Sequence, residues 1–404
     1  MQELLYLTHR IPYPPNKGDK IRSYHLLKYL SQHYRVHLGT FVDDNEDWQF
    51  TDKIKDLCSE TCFVKLHPKL ARLRCLSGFF TNSPLTLSYY WDKQLQVWVN
   101  ALLEARSIDN IVVFSSAMAQ YVRHTQSIHR IIDFVDVDSD KWKQYADTKS
   151  WPINWIYRRE SDVLLDYEKL ITQEFNRATF VSKKEAELFQ KLLPEISDKI
   201  TYFNNGVDTD YFSSLNNYPN PYSKDKPVLV FTGAMDYWAN VDAVVWFAKT
   251  VFPTIYSHLP NTQFYIVGSR PTNQVMELAA IPGITVTGSV ADIRPYLTYA
   301  SLAVAPLRIA RGIQNKVLEA MAMEKIVVAS PQAMEGIHAI TGQELLVAND
   351  AKQFTSQILT LLEENDNDVI GKAARARILT DYSWSKSLAR VDGLLSQSVE
   401  VKVA

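Results

Sequence analysis

Short apolar runs alternate with longer amphipathic segments from one end of the chain to the other. No single motif constrains the fold as much. An apolar run of about four to eight residues between turn signals suits a strand buried on both faces, and a helical segment after it suits a crossover to a parallel neighbour. The pattern predicts strands near residues 3–7, 35–41, 110–114, 130–134, 178–181 and 200–203, with helices over 21–32, 94–106 and 155–175. A second series predicts strands near 228–232, 263–267, 284–287, 302–305 and 326–328, and helices over 241–257, 315–323 and 354–363. The expected class is α/β, two doubly wound Rossmann-like domains.

Between the two series lies Asn204-Asn205-Gly206, and then a Pro- and Asn-rich stretch over 216–227, a turn and linker composition. At 404 residues the chain has room for two domains. The expected division is 1–206, 207–380 and a terminal segment 381–404. Two doubly wound halves imply a central cleft faced by the carboxyl ends of both sheets.

Charge excludes one class of partner. With 43 Lys and Arg against 45 Asp and Glu, and no basic excess in either half, the chain lacks the footprint of a nucleic-acid binder. Cys58, Cys62 and Cys75 are odd in number and without zinc-pair spacing, so reduced thiols are expected. No stretch approaches the roughly 18 apolar residues of a membrane span, and the first residues lack the pattern of an export signal. The expected location is cytoplasmic. One segment bears on it further: between Glu60 and Asp92 there is no acid, while Lys65, Lys69, Arg72 and Arg74 alternate with Leu66, Leu70, Leu73, Phe79 and Phe80. Such a segment fits an anionic leaflet on the inner membrane face, or equally a helix with a buried leucine face and solvated bases.

Three stretches carry candidate chemistry. After the first strand, the Pro-rich loop of residues 8–17 runs into Gly18 at a helix start, where backbone N–H groups favour an anion; Lys17 and Lys20 add charge, and the alternative is a solvated loop with Asp19 as N-cap. Asp133, Asp136, Asp138 and Asp140 cluster at a strand-to-helix junction. That cluster suits helix capping, a cleft carboxylate at Asp136 or Asp138, or hard ligands for a divalent cation. The third stretch runs from Ala305 to Ser330. Arg308, Arg311 and Gly312 precede a helix on which Lys316 and Glu319 share a face. Two arginines, a lysine and a helix N-terminus suit a diphosphate, and Glu319 suits a ribose diol. The competing reading is an exposed Lys–Glu pair on a surface helix.

Asn205-Gly-Val-Asp208-Thr-Asp-Tyr-Phe212, Gly233, Phe264-Tyr-Ile-Val-Gly268, Gly288-Ser-Val-Ala-Asp292, Gly312 to Glu319-Ala-Met-Ala322 and Tyr382-Ser-Trp384 follow one another in the order of a known family. Together they resemble the family 4 (group 1) retaining glycosyltransferases, and the resemblance spans nearly the whole chain. The 12–22, 136–142 and 308–319 segments look like the sugar transferases of exopolysaccharide loci associated with exosortase systems. The resemblance implies a GT-B fold, with an N-terminal acceptor domain (1–206), a C-terminal donor domain (207–380) and a final helix crossing back to the first. It implies a nucleotide-sugar donor, a UDP-sugar above others, a glycan or polyprenyl-linked acceptor, and neither cofactor nor metal.

By the same resemblance, Gly18 approaches the donor diphosphate, the residues from Gly312 through Lys316 to Val317 form the diphosphate loop, Val290 lines the nucleobase pocket and Glu319 holds the ribose; Lys17, Gly233, Arg308 and Arg311 are further residues expected at the donor. Asp136 or Asp138 would orient the acceptor hydroxyl or donor sugar. Two departures stand out. Arg311 occupies the place of the family's first acid, eight residues before Glu319, and the basic pair expected after the first strand of the second domain is replaced by Gly233-Ala-Met-Asp-Tyr-Trp-Ala-Asn240. Arg308, Arg311 and Lys316 are therefore expected to neutralise the diphosphate. Two other readings share the pattern: a non-hydrolysing nucleotide-sugar epimerase, and a catalytically degenerate nucleotide-sugar-binding scaffold.

Overall fold

The structure, a computed structural model, describes residues 1–396 apart from 16, 82, 148–149, 224–225, 311 and 364–367. It divides into two units: Met1–Asn204 together with the residues from Leu388 onward, and Asn205–Ser387. Each is built around a parallel sheet.

The sheet of the first unit has seven strands: β1 (Glu3–Thr8), β2 (Arg35–Val42), β3 (Glu60–Lys65), β4 (Ile108–Phe114), β5 (His129–Val135), β6 (Arg177–Phe180) and β7 (Ile200–Tyr202). They lie in the order β3-β2-β1-β4-β5-β6-β7. Leu4, Leu5, Tyr6 and Leu7 are consecutive and fully buried, as a strand covered by helices on both faces requires. β3 is absent from the sequence reading. It is an edge strand, with Cys62 and Val64 buried and Thr61 and Phe63 only half-buried, so its apolar signal is weak. The chain runs from β1 outward to β3, then returns beside β1 to start β4. The topological switch point of this unit is therefore between β1 and β4, where the connections at the carboxyl ends diverge.

The second unit repeats the plan with β8 (Val228–Thr232), β9 (Gln263–Val267), β10 (Ile284–Gly288), β11 (Leu302–Ala305), β12 (Val327–Ala329) and β13 (Leu346–Val347), in the order β10-β9-β8-β11-β12-β13. Its switch point falls between β8 and β11. The helix expected over 241–257 begins at Trp238 and contains a π-turn over Phe247–Val251. Pro253 follows directly, cannot donate a backbone hydrogen bond, and so accounts for the widened turn. The helix Trp384–Leu395 starts in the second unit, and its later residues group with the first, where the Tyr29 hydroxyl donates to Asp392 and His129 Nε2 to the Leu394 carbonyl.

Candidate functional site

In the second unit the loops after β8 and β11 open at the switch point. Gly233 ends β8 with φ +153°, a conformation suited to glycine. A Cβ there would lie 2.8 Å from Asn240 Nδ2 and 3.3 Å from Lys316 Nζ. Gly268, at the end of β9, is equally constrained, since a Cβ would sit 1.6 Å from the Gly233 carbonyl oxygen. Asn240 ties the two loops together: its Nδ2 donates to the Ala234 carbonyl (2.9 Å), and its Oδ1 accepts from Lys316 Nζ. The lysine ammonium lies 4.5 Å from the centre of the Phe231 ring. Lys316 therefore reaches from the first turn of the helix Asn315–Ala322 to the end of the neighbouring strand β8.

Lys316 and Glu319 share a face of this helix, and both are half-buried. Burial pulls the Lys316 ammonium well below the usual lysine range, with Glu319 opposing that shift. Burial likewise pushes the Glu319 carboxyl up, with Lys316 opposing. The exposed-pair reading fails, since neither residue is exposed and Lys316 is held by Asn240. What stands at the switch point is a lysine with donors beyond the one given to Asn240 and an acid ready to accept hydrogen bonds, beside an eight-residue helix N-terminus.

Gly312, with φ +64°, lies in the loop before the helix, and Gln314 Nε2 donates to its carbonyl (3.1 Å). The Arg308 guanidinium is half-exposed and paired with Asp242 on the helix Trp238–Trp246, Nε at 2.9 Å. Arg311 lies outside the described residues. Val317 is fully buried on the helix face that also buries Leu318 and Met321, so its side chain belongs to the core and only its backbone remains for a ligand. Val290 follows β10 and packs half-buried against the same core, after Gly288, which has φ +68° and open space around the Cβ position.

The first unit presents a different arrangement at its switch point. Lys17 is the exposed N-cap of the helix Gly18–His33, and Gly18 is its first residue, with nothing within 4 Å of a Cβ position. Asp19 is not the cap. It sits one residue into the helix and accepts from Arg10 Nη1 (2.6 Å), with His9 Nε2 at 3.5 Å. Burial alone would raise the Asp19 carboxyl, but His9 and Arg10 more than offset it and hold it below the usual carboxylate range. Lys20 adds no free charge, since it is buried against Asp47 at 2.5 Å. Arg22, fully buried, makes a bidentate pair with Asp133 (2.7 and 3.1 Å) beneath the Phe203 ring.

Sequence reasoning gave no role to His9, which stacks on Phe114 at the end of β4 (5.8 Å, 4° between planes). Nor did it single out Ser116, buried just after Ser115 (φ +80°) with an Oγ lacking a hydrogen-bond partner. Position alone, one residue past a strand end for His9 and two for Ser116, was the available signal. Asp136 and Asp138, the expected cleft carboxylates, both accept from Lys141 (2.6 and 3.3 Å), and they hold the lysine above its usual range against the effect of burial. Below them Glu168 is buried, pushed up to about 8 by burial and next by Asp138, and accepts from the Ser139 hydroxyl at 2.6 Å. Among the described residues no group of three or more His, Cys, Asp or Glu is placed to hold a metal ion.

Residues 226–364, which include Gly233, Asn240, Lys316 and Glu319, match the family model described as Glycosyl transferases group 1. No curated protein matches the chain. Solved structures match over its whole length. A glycosyltransferase from Rickettsia africae has a TM-score of 0.66 at 15% identity, covering 98% of this chain and 99% of that one. HepE of Anabaena, solved with UDP and glucose, has a TM-score of 0.67 at 14% identity, with 98% and 100% covered. WaaG, a glycosyltransferase involved in lipopolysaccharide biosynthesis, has 0.65 at 15% identity over 98% and 100%. The chain thus has the α/β GT-B fold of two Rossmann-like domains, and its second unit carries the match to group 1 glycosyl transferases.

Proposed function

We propose that this chain is a retaining, metal-independent glycosyltransferase that moves a sugar from a nucleotide-sugar donor to a glycan or lipid-linked acceptor in surface-polysaccharide assembly. The observation that carries the reading is the half-buried Lys316–Glu319 pair at the β8/β11 switch point, with Lys316 held by Asn240, inside the matched residues and beside a strand end at which only glycine fits. Lys316 and the N–H groups at the start of its helix would meet the donor diphosphate, and Glu319 the ribose hydroxyls. HepE bound to UDP and to UDP-glucose supports a UDP-sugar as the donor class.

In the transfer, the bond from the anomeric carbon to the diphosphate oxygen breaks and its electron pair leaves with the diphosphate. The acceptor hydroxyl oxygen bonds to the same face of that carbon and gives its proton to the departing diphosphate oxygen on that face. Negative charge grows on the diphosphate, and preorganised donors around Lys316 stabilise it where it appears. In the first unit, His9, Ser116 and the Lys17–Gly18 helix start are the groups proposed to meet an acceptor. Asp136 and Asp138, held by Lys141, act there as positioning groups. A peripheral place on the inner membrane face belongs to the same reading.

The test is incubation with UDP-sugars, with and without a panel of glycan and polyprenyl-phosphate acceptors, and with chelator throughout. The proposal expects UDP release that requires acceptor and a product with the donor's anomeric configuration by NMR. Conversion of donor alone identifies an epimerase, and binding without turnover identifies a scaffold.

A further inference from the structure

Exposed apolar side chains gather on one part of the first unit. On the helix Pro68–Thr81, Leu70 and Leu73 are 59% and 63% exposed, three residues apart and so on one face. Lys69 and Arg72 flank them, Lys65 is exposed just before the helix, and residues 61–91 contain no acid. Arg74 is not part of this charge: it is half-buried and donates to the Trp91 and Tyr89 carbonyls. The side chains of Phe79 and Phe80 lie outside the described residues.

A second exposed set sits on the N-terminal turn of the helix Ile153–Glu174. Trp151 is 80% exposed and Trp155 56%, with Ile153 between them also exposed. Tyr145, exposed on the preceding helix, joins them through contacts to Trp142 and Tyr157. Arg159 clamps this helix to the first one, and Glu160 to the short helix Leu85–Tyr89 that follows it. Arg159 Nη2 donates to the Gly78 carbonyl (2.6 Å), and Glu160 accepts from the backbone N–H groups of Leu85 (2.8 Å) and Thr86 (3.0 Å). Trp155 is about one turn from that clamp and Leu73 less than two. Of the acids here, Glu160 is buried on those N–H groups, Asp147 faces Arg158 (3.6 Å) and Asp162 is exposed about two turns beyond Trp155, so the basic charge beside leucine and tryptophan is that of Lys65, Lys69 and Arg72.

From this juxtaposition we infer that the Leu70–Leu73 face and the Trp151–Trp155 turn together form a docking surface for an anionic lipid leaflet. The leucines enter the acyl boundary, the tryptophans lie at headgroup level, and Lys65, Lys69 and Arg72 meet lipid phosphates. Mixed bases and aromatics favour a leaflet over a second copy of this chain, whose own patch would bring like charges together. The surface stands on exposure and charge; it rests on the proposed function only in supplying a membrane-bound acceptor.

The test is cosedimentation of the full chain with phosphatidylcholine vesicles and with vesicles rich in phosphatidylglycerol. Wild type should sediment with the anionic vesicles alone and be released by high salt. Changing Lys65, Lys69 and Arg72 together to Ser should weaken partitioning by roughly a hundredfold, at about 1 kcal/mol per base. The pairs Leu70→Ser with Leu73→Ser, and Trp151→Ala with Trp155→Ala, should each weaken it at least tenfold, with melting temperature and UDP binding unchanged. Equal binding to neutral vesicles, no binding, or wild-type binding by the variants overturns the inference. So does a wild-type dimer in sedimentation velocity that Leu70→Ser with Leu73→Ser dissociates. Because UDP binding is read separately, failure at the membrane leaves the donor site standing, and the converse holds.

Discussion

Replacing Lys316 with Met separates a diphosphate-binding lysine from a structural one. The ammonium has three donors and gives one to Asn240, so at least one remains for a phosphate oxygen. A charge-assisted hydrogen bond of that kind contributes about 1.5–3 kcal/mol, or a loss of roughly ten- to 150-fold in affinity for UDP on replacement. Uridine, which lacks the phosphates, should lose less than threefold. The sign of the pH effect follows from burial, which favours the neutral amine in the free protein. A bound diphosphate favours the ammonium, so binding above neutral pH takes up a proton and weakens as pH rises. Lys316→Met should abolish that dependence, and its Glu319, without the lysine that lowers it, should titrate higher. Calorimetric titrations in buffers of different ionisation enthalpy read affinity and proton uptake together. Equal losses for UDP and uridine, or none for either, would refute the reasoning.

Asp133→Ala leaves the fully buried Arg22 guanidinium without its carboxylate, which costs roughly 3–5 kcal/mol and should lower the melting temperature by about 10 °C. Glu168 keeps its proton in the folded state up to about pH 8, whereas the unfolded chain releases it near 4.5. Stability from this group is thus complete below pH 4.5 and falls, by on the order of 4 kcal/mol, as pH rises to 8; Glu168→Gln should flatten that slope in urea unfolding. Arg308 is already paired with Asp242, so Arg308→Ala should change UDP affinity less than threefold by titration, contrary to the sequence expectation.

The fold was legible because parallel strands covered on both faces are written as uninterrupted apolar runs. Three second-unit strands, Val228–Thr232, Gln263–Val267 and Leu302–Ala305, begin and end where the spacing placed them. β3 and β13 escaped, one as a half-exposed edge and the other as a two-residue strand. Lys316 and Glu319 were legible from their three-residue spacing after a glycine-containing loop. The surroundings of Lys316 were not, because Phe231 and Gly233 arrive from the end of β8 and Asn240 from the helix Trp238–Trp246 after it, some 80 residues away. The same holds for the partners of Lys20, Arg308, Asp136 and Asp138, which the sequence does not show. Each looks like an available charge in one dimension, and each is engaged by Asp47, Asp242 or Lys141 once the chain folds. Local sequence shows where charges stand along an element, not which partners tertiary packing brings to them.

The central claim is a nucleoside-diphosphate site built on Lys316 and Glu319. Its most direct measurement is the thermal shift produced by UDP, GDP, ADP and CMP, with and without chelator, on wild type and Glu319→Ala. A ligand at roughly 100 times its dissociation constant adds about 2.7 kcal/mol, a rise in melting temperature of several degrees. The account predicts a shift with UDP above the others, unchanged by chelator and lost in Glu319→Ala. No shift with any nucleotide, or an equal UDP shift in Glu319→Ala, would contradict it.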